Sequence, residues 1–297
     1  MHLVPFESHL AADVTALYNE AVAPVPDCHP VAADRFASLE KLARRNLRDE
    51  ALMAAQSDDG RPVGFVHIGI ALPVKEEEED WLPKGEPAAI RFLYHQAGHR
   101  QAGQALLDWA ERWARERARP YLVAWHWLHR YPFYLPYCYL SEHMGHVRAL
   151  FGVNGYREDL SELYLRWPDF TPPQPVKPDL DFRLVTEKAD GSYGPRLRLR
   201  AMQGGRELGA CLMDRGHWSA PNAAEWCFCD GLDVIDEFQG KRLGLFLLAT
   251  GLQEMRKQGC RHAAITTNWT NYRAALMYTN LGFQHADRTY SFRKDLA

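Results

Sequence analysis

Two short stretches combine residue types and spacing suited to holding a phosphate. In Gln239-Gly240-Lys241-Arg242-Leu243-Gly244 a glycine-containing turn leads from an apolar strand-like run into a long helical pattern, LFLLATGLQEMRKQG. Arg100-Gln101-Ala102-Gly103-Gln104-Ala105 stands in the same relation to AAIRFLYH and LLDWAERWARERA. Such a turn leaves several backbone N–H groups pointing outward at the positive end of the helix dipole. Small residues at its fourth and sixth positions let a diphosphate approach the main chain. Neither stretch is a Walker loop or a dinucleotide fingerprint. Proton transfer has candidates close by. Glu225, Asp230 and Asp233 lie on or near the run AEWCFCDGLDVIDEF, where a carboxylate could act through a water, although most carboxylates are simply solvated. Tyr278, in NYRAALMYTNLGF, reads from spacing alone as a core aromatic on an amphipathic helix.

The elements that would position these residues occur twice. Asp59-Gly60-Arg61-Pro62-Val63-Gly64-Phe65 and Gly204-Gly205-Arg206-Glu207-Leu208-Gly209-Ala210 each sit between apolar runs, the pattern of a β-hairpin with a glycine-bearing turn. Each hairpin is followed by a strand, the turn and a long amphipathic helix; in the first helix Leu106, Trp109, Ala110 and Trp113 share a face. A short strand and a helix ending in glycine plus an aromatic close each half: Gly155-Tyr156 and Gly282-Phe283. The proline-rich stretch 171–179, TPPQPVKPD, cannot continue a helix or a central strand and reads as a linker. It divides the chain into domains over 1–170 and 180–297. Two helical patterns, AADVTALYNEAV and ADRFASLEKLARR, precede the first hairpin, whereas between Asp181 and Gly205 there is room only for a strand and a turn. The second domain is therefore expected to lack the first two helices. The first carries an acidic insertion, VKEEEEDWLPKGE, read as a solvated loop, and an aromatic stretch over 125–139 that could close a site or serve as packing.

The 297 residues, 46% hydrophobic and 25% charged with a net charge of −3, describe an ordinary globular chain without the electrostatic footprint of a nucleic-acid binder. No apolar run reaches the roughly 20 residues of a membrane span, and MHLVPFESHL lacks the build of a secretory signal, so a cytoplasmic location is expected. Six cysteines in such a chain read as reduced, buried thiols. Cys227 and Cys229 form a C-x-C without a second pair at zinc-finger spacing, and His143 and His146 lack a zinc-protease context; no metal site is expected.

Arg100-Gln101-Ala102-Gly103-Gln104-Ala105 matches R/Q-x-x-G-x-G/A, and 239–244 matches it except at Arg242. With Asn271-x-x-Ala274-x-x-x-Tyr278-x-x-Leu281-Gly282-Phe283 and the doubled element order, the chain resembles a tandem GNAT-superfamily N-acetyltransferase of the mycothiol-synthase arrangement. The resemblance implies an α+β, three-layer fold. Each of its two domains would hold a mixed, mostly antiparallel sheet flanked by helices, with two strands splayed to admit the pantetheine arm of acetyl-CoA. It implies acetyl-CoA as cosubstrate, held by the two loops and by the main chain near His95 and Val234, and an amine of a small molecule or peptide as acceptor. It also implies direct attack without a covalent enzyme intermediate, an oxyanion stabilised by a backbone N–H, and a tyrosine protonating the departing thiolate. Tyr278 and Asn271 fit that motif in the second domain, with Glu225 or Asp233 as base. The first domain has Phe151 where the second has Tyr278, and a phenyl ring has no proton to donate, so the second domain is expected to be catalytic. Arg242 would either crowd the diphosphate or add a contact to it alongside Lys241. Tyr137 or Tyr139 could otherwise rescue the first domain. The alternative is a non-catalytic acyl-CoA-binding sensor or scaffold, monomeric or homodimeric, with no nucleic-acid or membrane partner.

Overall fold

Both expected hairpins form, and each turn is built on glycine. Gly60 (φ +81°) turns β2 (Leu47–Gln56) into β3 (Pro62–Ala71), and Gly204 and Gly205, both at positive φ, turn β9 (Pro195–Gln203) into β10 (Arg206–Arg215). Two consecutive residues at positive φ match the twist of the strands they join. The computed structural model describes residues 1–37, 47–72, 86–135, 139–216 and 220–296. Most of the acidic insertion, the end of the second helical pattern, Tyr137 and Cys138 lie outside them.

The described chain forms two units, Met1–Glu162 with Asp287–Ala297, and Leu163–Ala286. The first holds β1 (His2–Pro5), α1 (Ala11–Val22), α2 (Ala33–Ala37), β2, β3, β4 (Ala88–His95), α3 (Arg100–Glu116), β5 (Tyr121–Ala124), β6 (Leu140–Ser141), α4 (Gly145–Val153) and the first half of β7 (Arg157–Trp167). β4 and β5 are parallel and their neighbours antiparallel. Beneath α1 and α2 lies an aromatic core in which the rings of Phe36, Phe92, Tyr131 and Phe133 all contact Tyr18.

The second unit holds the end of β7, β8 (Arg183–Asp190), β9, β10, β11 (Trp226–Val234), α5 (Leu243–Lys257), β12 (His262–Asn268) and α6 (Tyr272–Leu281). The last strand, β13 (Gln284–Asp295), leaves it and pairs with β5 and β6 of the first unit. These bounds differ from a division at the proline-rich stretch: 163–180 lie in the second unit, and 287–297 lie in the first, whose β5 and β6 they pair with. The stretch itself packs in the second unit, where Gln253 donates to the Pro173 carbonyl (3.2 Å).

In the second unit β8 leads directly into β9, and the alternation RLRLRAM shows how its sheet does without a helix layer. Leu197, Leu199 and Ala201 are buried in the core with α5, while Arg196, Arg198 and Arg200 point to the other face. There Arg198 and Arg200 pair with Glu207, Arg200 with Glu187, and Arg196 with Asp214 and Asp230. The partly exposed pairs of Arg198 and Arg200 contribute well under ~1 kcal/mol each, whereas Asp214 and Asp230 are buried against Arg196. Cys227 and Cys229 face the same core beside Cys211 and Cys260.

Candidate active site

A slot opens in the second unit where one strand outruns its neighbour. Leu212 of β10 pairs with Gly231 and Met213 with Cys229, leaving Asp230 as the extra residue of a bulge. A bulge bends its strand and increases the local twist. The parallel ladder between β11 and β12 runs from Trp226–His262 to Cys229–Ile265 and stops there. Among the described residues, 230–234 have no strand partner on that side. The first unit repeats the device: Arg91 is the extra residue on β4, and the β4–β5 ladder ends at Ile90–Ala124. In the second unit both strands run on without pairing to each other, β11 to Val234 and β12 to Asn268, whereas in the first β5 ends with its ladder at Ala124.

The second slot runs into a helix N-terminus. After β11 a short 3-10 turn (Asp236–Phe238) leads to Gln239, Gly240 (φ +75°, open space where a Cβ would sit), Lys241 and Arg242, and α5 begins at Leu243. The first helical bond is Phe246 N–H to the Arg242 carbonyl (3.0 Å), so the amides of Leu243, Gly244 and Leu245 have no acceptor within the helix. Arg242 takes the left-handed conformation at φ +66°, which explains why the motif favours glycine at this position. Lys241 and Arg242 are exposed, neither has an ion-pair partner among the described residues, and the Lys241 ammonium lies 5.0 Å from the Phe238 ring. Gln239 braces the loop through its side-chain amide, donating to the Val234 carbonyl (3.0 Å) and to Asp236 (2.9 Å). Gly244 lies against Val234, whose Cγ2 would stand 3.6 Å from a methyl group at that position, an ordinary contact.

The corresponding stretch in the first unit is built differently. α3 starts at Arg100, so 100–105 are its first residues and not the turn ahead of it, which corrects the sequence reading of this stretch as a loop. Its glycine serves packing: a Cβ on Gly103 would meet the His95 ring at 2.2 Å. That ring is buried with Nε2 unpartnered, and the His95 carbonyl already accepts from His146 Nε2 (2.8 Å). The Ala102 and Gly103 amides both bond to the His99 carbonyl, and Gln104 pairs with Asn154 through both amide groups. Gln101 is exposed and Ala105 half-buried. Gly103→Ala should therefore cost about 1–3 kcal/mol by forcing His95 aside, while Gly244→Ala should stay within about 0.5 kcal/mol, as thermal unfolding of the two variants would show.

Tyr278 is 4% exposed on α6, in the core cluster of the second unit, with its ring near Phe283 (6.1 Å). Its carbonyl accepts from Gly282 and Phe283, as the Phe151 carbonyl accepts from Asn154 and Tyr156, so the two residues occupy equivalent places in their helix ends. Asn271 is the N-cap of α6, its side chain accepting from the Ala274 N–H (3.2 Å). The carboxylates are dispersed. Glu225 precedes the paired end of β11, bonded to Asn222 (3.1 Å) and 3.9 Å from His262, about 16 Å along the strand from the bulge. The Asp230 side chain is buried and ion-paired to Arg196, which also grips Asp214. Asp233 is exposed on the unpaired part of β11, 3.8 Å from a Cβ placed on Gly231. Sequence reasoning passed over Arg196 as the anchor of the bulge; its signal was the arginine alternation on β9.

Residues 158–283 match the model of the acetyltransferase (GNAT) family. No curated protein sequence matches the chain. Among solved structures the chain resembles a tandem GNAT protein from the clavulanic acid biosynthesis pathway (TM-score 0.68, 16% identity, covering 100% of this chain and 98% of that one). It also resembles a GCN5-related N-acetyltransferase from Sphaerobacter thermophilus (TM-score 0.67, 15% identity, 99% and 95% covered). A third likeness is to the glucosamine N-acetyltransferase region of a fungal multi-domain GH3 β-N-acetylglucosaminidase (TM-score 0.67, 14% identity, 99% and 38% covered). Identities this low establish the fold, and the family model adds the lineage of the second unit. The chain thus has the tandem fold of these acetyltransferase structures, and its residues 158–283 match the GNAT family model.

Proposed function

We propose that the second unit binds acetyl-CoA and transfers its acetyl group to a primary amine of a small molecule or peptide. The observation that carries this reading is the continuity of the unpaired end of β11 with a helix N-terminus bearing free amides and two cations without ion-pair partners among the described residues. The residues suit the ligand. Main chain along 230–234 offers edge hydrogen bonds to an extended amide-bearing arm, and Gly240 to Gly244 offer amides and positive charge to a diphosphate. When bound, the thioester supplies the acetyl group.

This chain's residues then manage position and protons. Tyr278 donates a proton to the departing sulfur. Asn271, as cap of the first turn of α6, positions it. Asp233 takes the amine proton through a water, in preference to Glu225 at the far end of the strand or Asp230 held by Arg196. The first unit serves as the partly degenerate partner, with Phe151 in place of a donor and the His95 carbonyl already bonded to His146. The cytoplasm suits buried thiols such as Cys211 and Cys229, which lie 3.9 Å apart without a bridge; among the described residues no helix is long and apolar enough to cross a membrane.

Release of free thiol from acetyl-CoA across a panel of primary amines tests the reading. Amine-dependent turnover is expected; acetyl-CoA binding without turnover on any amine would leave a sensor or scaffold. Arg242→Gly separates conformation from charge. Relief of the left-handed backbone should raise stability by up to about 1 kcal/mol, while loss of the cation should raise KM for acetyl-CoA about tenfold. An unchanged KM would remove Arg242 from the diphosphate site.

A further inference from the structure

We propose that Glu142, His143 and Asp287 form a site for one divalent transition-metal cation, zinc(II) by its donor set, which clamps the start of β13 to the turn after β6. A carboxylate oxygen or ring nitrogen of each lies within 4.8 Å of the others. All three belong to the first unit. Their backbones are fixed by pairing of β6 with β13, Ser141 opposite Thr289 and Leu140 opposite Tyr290. Glu142 and His143 occupy the 3-10 turn that follows, capped by the Ser141 hydroxyl, which accepts from the His143 N–H (3.2 Å).

The independent sign of a ligand is Asp287. It is 0% exposed; its carboxyl group faces the Ser141 side chain and its Oδ1 accepts from the Glu142 N–H (3.2 Å), but its buried Oδ2 has no hydrogen-bond partner. Buried carboxylate oxygens are almost always satisfied, so an orphan one calls for a missing positive or donating group. Beside it stand two side chains free to supply the rest. Glu142 and His143 are exposed and have no ion-pair partner among the described residues; the nearby Arg148 is engaged by Glu158.

One buried, immobile carboxylate and two movable arms make a three-ligand site with room for water. An imidazole with two carboxylates suits zinc, whereas magnesium and calcium take oxygen ligands. At metal–ligand distances of about 2.0–2.2 Å, tetrahedral ligand atoms lie roughly 3.4 Å apart, so Glu142 and His143 need swing inward by only about an ångström.

Titration of the full chain, freed of any affinity tag, with zinc(II) against a chromogenic chelator tests the site, with magnesium(II) as the comparison. One saturable equivalent of zinc and a zinc-dependent rise in unfolding temperature are expected, with no response to magnesium. Glu142→Gln and His143→Gln alter exposed side chains, and Asp287→Asn keeps the acceptor for the Glu142 amide; each should weaken zinc binding by on the order of tenfold or more and abolish the thermal shift. Absence of saturable binding, or equal affinity in Glu142→Gln and His143→Gln, would mean an adventitious ion only and would overturn the site.

Discussion

Tyr278→Phe is expected to lower kcat for acyl transfer by about two to three orders of magnitude, with KM for acetyl-CoA changed less than about twofold. The substitution removes one hydroxyl and keeps the ring. The fold tolerates a phenyl ring in a similar setting, because Phe151 of α4 is fully buried and its carbonyl, like that of Tyr278, accepts from the aromatic residue five positions on. Stability should therefore move by less than about 1 kcal/mol, and a loss of rate cannot be ascribed to unfolding. Steady-state kinetics alongside thermal unfolding decide the matter. The general-acid role predicts a kcat that responds to the leaving thiol: the penalty should shrink with an acyl donor whose thiol is more acidic, since a better leaving group needs less protonation. A rate within about twofold of wild type would return Tyr278 to the role of core aromatic.

Element order and the turn that opens α5 were legible in the sequence because they rest on local rules. Glycine pairs fix hairpins, a turn ahead of an apolar helix fixes the 239–244 loop, and a five-residue interval from Tyr278 to Phe283 fixes the helix end. Two features escaped because they depend on contacts between distant residues. The first was the nature of 100–105. A glycine in that spacing fits the turn ahead of a helix and the first turn of a helix packed on an imidazole equally well, and the start of α3 at Arg100 and the position of His95 show the second. The second was the bulge on β11. Asp230 is one of several carboxylates in the sequence, and its commitment to Arg196 requires knowing that β9 and β11 flank β10. The missing helix layer, by contrast, could be read from the short interval before Gly205.

Phe292→Ala is expected to destabilise the first unit by about 3–5 kcal/mol, although residue 292 follows every element of the second. The reason is where β13 is paired. Phe292 lies opposite Ala124 of β5, is 2% exposed and stacks on Phe151 with ring centroids 5.0 Å apart and planes 12° from parallel. Tyr290, next on the same face, is buried as well and pairs with Leu140 of β6. A loss of this size is a large part of the roughly 5–15 kcal/mol that stabilises a typical domain, so the first unit should become the weak member of the pair. Hydrogen exchange resolves the effect by element: amides of β4 and β5 should lose protection in the variant, while those of α5 and β10, whose core contains neither Phe292 nor Tyr290, should keep theirs. Equal loss in both units would show that they unfold together, and loss confined to α5 and β10 would contradict the assignment of β13 to the first unit. The same pairing predicts that a chain cut at residue 180 would deprive β5 of its neighbour and leave its edge bare, a route to aggregation that the returning strand closes.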